Sequence, residues 1–217
     1  KLFSRDRNIW HISHEGGPIE NIETEPDESF WVLTVSPEKA PDKPEYVEIE
    51  FDAGAPVAVN GERMKPKDIV KTLNKIGGKN GIGRCDMVEN RLVGMKSHGL
   101  YETPGGTILN YAHSELESIT LDRDSQHYKE VVASRYAELI YNGQWFTPLC
   151  AAMNKFFEEI DKTTTGTVKL KLYKGNVISA GRKSKYSLYS ERMASFGDVS
   201  LYDHKDATGF IRCFTLP

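Results

Sequence analysis

His11, His14 and Glu15 place three metal-ligating side chains in one short run. A metal needs three or four ligands converging from a fixed scaffold, and no distant Cys/His cluster completes this set. No metal is therefore expected. Gly81, Gly83, Gly105 and Gly106 resemble the glycines of a phosphate cradle, where backbone amides face an anion. The dinucleotide-binding spacing fails, because Asp86 stands where the third glycine belongs, and turns explain these glycines better. Glu89 reads on its own as a solvated carboxylate at a strand end. Tyr101 is either a core aromatic whose hydroxyl reaches the backbone or, from its Glu-Thr-Pro-Gly-Gly continuation, a residue on a loop rim. Ser4 and Ser13 carry hydroxyls that can both donate and accept, in a position near the chain start where polar surface is the ordinary reading. Cys85, Cys150 and Cys213 lie far apart in apolar contexts, form no CxxC pair, and are expected as reduced core residues.

The elements that must position these groups follow from periodicity. Residues 18–45 are rich in proline and acids around one apolar island at 30–33, which predicts a long surface loop with an anchored segment. From Tyr46 to Asp52, Val47, Ile49 and Phe51 alternate with Glu48, Glu50 and Asp52, the pattern of a half-buried strand. Turns at Ala53-Gly54 and Asn60-Gly61 bracket a second strand over 56–59. Pro66 opens a helix with Ile69, Val70, Leu73 and Ile76 on one stripe, and Gly77-Gly78 is expected to close it. A strand is expected over 85–95. A helical stretch over 107–141 breaks near Leu121-Asp122; its second half carries Tyr128, Val131, Val132, Tyr136, Leu139 and Ile140 on one face, and Gly143 stops it. Thr147-Pro148 caps another helix, with Leu149, Met153, Phe156, Phe157 and Ile160 turned inward. Val168, Leu170 and Leu172 alternate with lysines before a turn at Lys174-Gly175-Asn176 and a return strand, a hairpin with one wet face. Strands, then helices, then strands again predict an α+β fold, a mixed sheet with hairpins and flanking helices in one domain over residues 1–217.

The run Gly-Ile-Gly-Arg-Cys-Asp-Met-Val-Glu-Asn-Arg-Leu-Val-Gly-Met-Lys-Ser from Gly81 to Ser97, continued by Tyr-Glu-Thr-Pro-Gly-Gly-Thr-Ile-Leu from Tyr101 to Leu109, resembles the signature block of the argininosuccinate synthases. Trp-His-Ile-Ser-His-Glu-Gly-Gly from Trp10 to Gly17 is similar to an element that follows that family's ATP-binding domain, and the Asp206–Ile211 end also fits. The resemblance implies a ligase that condenses citrulline with aspartate using ATP and Mg²⁺, through an adenylated intermediate, releasing AMP and pyrophosphate. It maps the family's citrulline contacts onto Ser4, Ser13, Glu89 and Tyr101. Glu89 would receive the substrate ammonium through a charge-assisted hydrogen bond, the three hydroxyls would orient the rest, and no acid–base residue is required.

Two departures stand out. His98 replaces the family's usual arginine, and the Ser-Gly-Gly-x-Asp loop that grips ATP phosphates is absent, as is the family's extended C-terminal arm. Lys1 stands where a methionine would, so a piece of a longer enzyme, inactive alone, is the expectation. The family also implies a homotetramer in the cytoplasm. A net charge of −3 offers no general attraction to nucleic acid, no apolar run is long enough to span a membrane, and no secretion signal opens the sequence. Two rivals remain: an oligomerisation scaffold, and an amino-acid-binding module without catalysis.

Overall fold

The structure, a computed structural model, describes residues 3–194 and 203–216. Lys1 and Leu2, the start of the opening run, lie outside them. The strands are β1 (Ser4–Arg7), β2 (Ile12–Glu15), β3 (Glu45–Asp52), β4 (Ala55–Val59), β5 (Glu62–Arg63), β6 (Arg84–Asn90), β7 (Lys96–Glu102), β8 (Gly166–Tyr173) and β9 (Asn176–Lys183). The helices are α1 (Pro66–Lys79), α2 (Pro104–Thr120), α3 (Arg123–Tyr141), α4 (Pro148–Ile160), α5 (Glu191–Ala194) and α6 (Asp206–Phe214). The fold is α+β, but the expected single mixed sheet is two antiparallel ones, ordered β1-β2-β7-β6 and β5-β4-β3-β8-β9. Tight hairpins join most sequence neighbours, and the two pairs distant in sequence, β2 with β7 and β3 with β8, also run antiparallel.

The larger sheet carries the main core. Val47, Ile49 and Phe51 of β3 and Val168, Leu170 and Leu172 of β8 turn inward against Ile69 and Leu73 of α1 and Ile108, Ala112 and Leu116 of α2. Each such large side chain contributes about 1.5–3 kcal/mol when fully buried. Gly77 and Gly78 do not end α1, which continues to Lys79. They remove side chains where α1 meets its neighbours: a Cβ on Gly77 would lie 2.9 Å from the Pro104 side chain, and one on Gly78 2.1 Å from the Leu33 carbonyl oxygen. The chain turns only afterwards, at Gly81 with φ 72°.

The smaller sheet holds the predicted site residues. Its second hairpin corrects the expected strand over 85–95: β6 ends at Asn90, the chain turns through 91–95, and β7 returns. Arg91 closes the turn by donating its amide to the Met95 carbonyl at 2.9 Å. The proline-rich segment 18–45 is irregular, broken by short 3-10 turns, and packs Ile19 and Phe30 against Leu100 of β7. Of the cysteines, only Cys150 is buried; Cys85 and Cys213 are exposed, so the core reading fails for both. No described helix is long and apolar enough to cross a membrane.

Candidate functional site

Strand register decides which side chains of the smaller sheet meet. Directly paired residues of antiparallel strands share a face, and successive residues alternate. Ser4 pairs with Glu15, Asp6 with Ser13, Ser13 with Tyr101, Tyr101 with Cys85, Glu15 with Gly99, and Glu89 with Ser97. Ser4, Ser13, Glu89 and Tyr101, spread over almost a hundred positions of sequence, therefore stand on one face, together with Glu15 and Ser97. The opposite face carries His14, Leu100 and Glu102 and is covered by segment 18–45. The same alternation splits the apparent metal trio, with His14 turned away from Glu15.

On the open face the Tyr101 ring lies over Gly99, where a Cβ would approach it to 2.9 Å. The phenol thereby reaches along the strand and donates to Glu89 Oε2 at 2.9 Å. Burial, the hydrogen bond to Glu89 and that carboxylate's charge all raise the Tyr101 pKa, so the hydroxyl stays a donor at neutral pH. Arg91, at the hairpin tip, donates from Nη2 to Glu15 Oε2 at 2.6 Å and to Ser97 Oγ at 3.0 Å. Its Nη2 also lies 4.0 Å from Glu89 Oε1. The hydrogen bond and charge of Glu15 hold the guanidinium pKa above its ordinary value.

Two clefts flank this cluster. One, of about 760 Å³, is lined by Ser4, Glu15, Gly16, Arg91, Ser97 and His98 among others. The second, of about 690 Å³, runs between the hairpin and α3, bordered by Glu89, Arg91, Glu138 and Tyr141. Ser4 thus lines one cleft and Glu89 the other, and Arg91 borders both; Ser13 is buried and lines neither. Tyr101 lies within β7, one residue before its end at Glu102, and α2 begins at Pro104, so the loop-rim expectation is corrected. Glu15, Arg91 and Ser97 had no part in the sequence-based set. Period-two spacing from Ser13 to Glu15 was the available signal for the first; Arg91 lies beyond the strand end, where alternation gives no guide.

The covered face is held by a different cluster. Glu102, fully buried, accepts the backbone amides of Val32, Leu33 and Thr34 at 2.8–2.9 Å, the Thr34 hydroxyl at 2.7 Å and His14 Nε2 at 3.0 Å. Burial alone would raise its pKa, but these hydrogen bonds outweigh that and hold it below the ordinary value. His14 Nδ1 accepts from Arg5 Nε at 3.0 Å, which leaves Nε2 to donate to Glu102. His98 also belongs to this face. Its ring nitrogens meet two acceptors, the Ile19 carbonyl and Asp86 Oδ1, the latter at 2.6 Å. Burial disfavours the charged ring, yet the hydrogen bonds to Asp86 and Ile19 prevail and raise its pKa. As an imidazolium it would keep the cationic, two-donor character of an arginine in a clasp between sheet and loop.

The glycines offer no phosphate cradle. A Cβ at Gly83 would lie 2.6 Å from the Pro104 backbone and one at Gly81 3.0 Å from the Pro37 backbone, so the chain itself fills the space an anion would need. Gly105 and Gly106 sit in the first turn of α2 rather than in a turn of their own, packed against α1 and the Trp10 ring. Away from the site, His113, Glu117 and Asp161 bring ligand atoms within 4.8 Å of one another. The Lys129 ammonium already pairs with Glu117 there, which supplies the cation that the cluster requires.

Residues 3–217 match the family model described as arginosuccinate synthase C-terminal domain. The argininosuccinate synthase of Carboxydothermus hydrogenoformans is 60% identical over 215 residues, covering 99% of this chain and 54% of that protein. Those of Roseiflexus castenholzii and Acetivibrio thermocellus are 58% and 59% identical, over 100% and 99% of this chain and 54% and 53% of theirs. The chain spans about half the length of these curated relatives. It belongs to the argininosuccinate synthase family, of which it carries the C-terminal domain.

Proposed function

We propose that this domain supplies the citrulline-binding surface of an enzyme that condenses citrulline with aspartate at the expense of ATP, yielding argininosuccinate, AMP and pyrophosphate. The observation that carries the reading is the Tyr101–Glu89 hydrogen bond on a sheet face shared with Ser4 and Ser13. Citrulline joins a zwitterionic head to a neutral polar tail. Glu89 keeps one oxygen for the ammonium while Tyr101 fixes the other, and the serine hydroxyls orient neighbouring polar atoms. None of these groups needs to move a proton. Their contribution is to hold the ureido oxygen in line for attack on the ATP α-phosphate, an entropic effect.

With no phosphate cradle among the described glycines, ATP, its Mg²⁺ and aspartate are assigned to the remainder of the relatives' length, and the domain alone is taken as inactive. A cytoplasmic setting suits three cysteines in the free thiol state. In a full-length synthase carrying this domain, Glu89→Ala should raise the citrulline KM by about ten- to hundredfold, the worth of one charge-assisted hydrogen bond, with little effect on ATP. Pyrophosphate release measured against citrulline concentration checks it, and an unchanged citrulline dependence removes Glu89 from the site.

A second role is favoured by exposed apolar side chains. Tyr128, Val131, Tyr141, Trp145 and Phe146 lie open on and beside α3, which suits assembly with further copies of the chain as a homotetramer.

A further inference from the structure

We propose that Arg91 is the receiver of the substrate's α-carboxylate, forming with Glu89 a two-charge clamp for an α-amino acid head group. The inference rests on the citrulline-site reading and adds to it a residue and a role. A guanidinium has five N–H donors in a plane. In Arg91 both Nη2 hydrogens are committed, to Glu15 and Ser97. Among the described residues nothing accepts from Nε or Nη1, while the side chain borders both clefts and is 39% exposed. Glu89 is the mirror case: Oε2 accepts from Tyr101, and no donor among the described residues bonds to Oε1. The two groups stand 4.0 Å apart, too far for a hydrogen bond with each other and near enough to face one small zwitterion.

The surroundings support that division of labour. Glu15 and Ser97 hold the guanidinium from one side, so that little rotamer freedom remains to be lost on binding. Glu15 also balances the charge, so the clamp carries two carboxylates around one cation. An α-amino acid bears its ammonium and carboxylate on a single carbon, and desolvating either without a partner is costly. Glu89 alone answers only the first. Arg91 is the nearest cation to it on this face.

The test compares citrulline with two analogues, one with hydrogen in place of the α-carboxylate and one with hydrogen in place of the α-amino group. Binding is measured by calorimetry on the full-length synthase carrying this domain, as wild type, Arg91→Gln and Glu89→Gln. The wild type should prefer citrulline to either analogue by about ten- to hundredfold. Arg91→Gln should lose the preference over the carboxylate-free analogue and keep the preference over the amine-free one; Glu89→Gln should do the reverse. A merely structural arginine would weaken all three ligands together. If Arg91→Gln keeps full discrimination against the carboxylate-free analogue while Glu89→Gln behaves as expected, the role of Arg91 is overturned and the citrulline reading survives. If neither variant alters citrulline binding, both fall. Should Arg91→Gln fail to fold, Arg91→Lys, which keeps the cation and loses the planar spread of donors, carries the same comparison and is expected to lose part of the carboxylate preference; full retention overturns the proposal.

Discussion

At the scale of single residues, the site depends on a carboxylate that touches no ligand. Glu102 sits on the covered face of the strand that bears Tyr101, and it gathers three amides of segment 18–45 onto one buried side chain. Replacing it with alanine would leave those donors and His14 without their acceptor in a dry environment. Glu102→Ala is therefore expected to destabilise the domain by about 3–5 kcal/mol, read from the midpoint of urea unfolding, far beyond a surface substitution. The pH dependence has a definite sign. The folded-state pKa lies below its ordinary 4.5, so the unfolded chain binds the proton more readily. The stabilisation is complete well above pH 4.5 and is lost as pH falls through the depressed folded value. Glu102→Gln, which keeps the shape and loses the charge, should start from lower stability at neutral pH and show a flatter acid limb. An acid limb as steep as that of the wild type would deny Glu102 this role.

At the scale of elements, the glycines of α1 invert an ordinary expectation. Glycine to alanine inside a helix normally stabilises by about 1 kcal/mol. At Gly78 the added Cβ would meet the Leu33 carbonyl oxygen at 2.1 Å and push segment 18–45 off the helix, breaking the hydrogen bond from the Val35 amide to the Gly78 carbonyl at 3.0 Å. Gly78→Ala should lower Tm despite its better helix propensity, and a raised Tm would refute the contact. The same pair of glycines shows where sequence stops being readable. As a local signal, Gly77-Gly78 means a helix end; only the approach of Leu33 and Pro104 reveals a crossing. Where the cause was local, reading succeeded: the alternation of Val47, Ile49 and Phe51 found β3, Thr147 caps α4 by accepting the Cys150 amide at 3.2 Å, and Lys174-Gly175 turns β8 into β9. The strand expected over 85–95 overran because Leu92, Val93 and Met95 are apolar yet 61–76% exposed at the hairpin tip. For the candidate site, the family resemblance supplied four residues; strand register was needed to put them on one face and to add Glu15, and the contacts of the hairpin tip with Glu15 and Ser97 to add Arg91.

At the scale of the whole molecule, the two layers differ in how completely they are covered. The larger sheet, α1 and α2 enclose a continuous core, whereas α3 and α4 pack chiefly on each other, Tyr128 against Phe156 and Tyr136 against Phe157. On the single apolar face expected for α3, Leu139 is buried but Val131 is 71% exposed, and Leu149, expected inward on α4, is 47% exposed. Phe146, in the connection between them, is fully exposed at 100%. A stripe of this kind stays soluble by being covered, and a second copy of the chain presents the same stripe by symmetry. Light scattering should then give a multiple of the 24.5 kDa chain mass at micromolar concentration. A Val131→Glu, Phe146→Glu double variant should shift the mass toward 24.5 kDa without unfolding the chain, because neither side chain is part of the buried core. A wild-type chain that remains at 24.5 kDa across all concentrations would leave the stripe to another occupant. Loss of assembly together with loss of the folded state would instead mean that the α3–α4 layer cannot stand without its neighbour, as in obligate oligomers whose monomers do not fold.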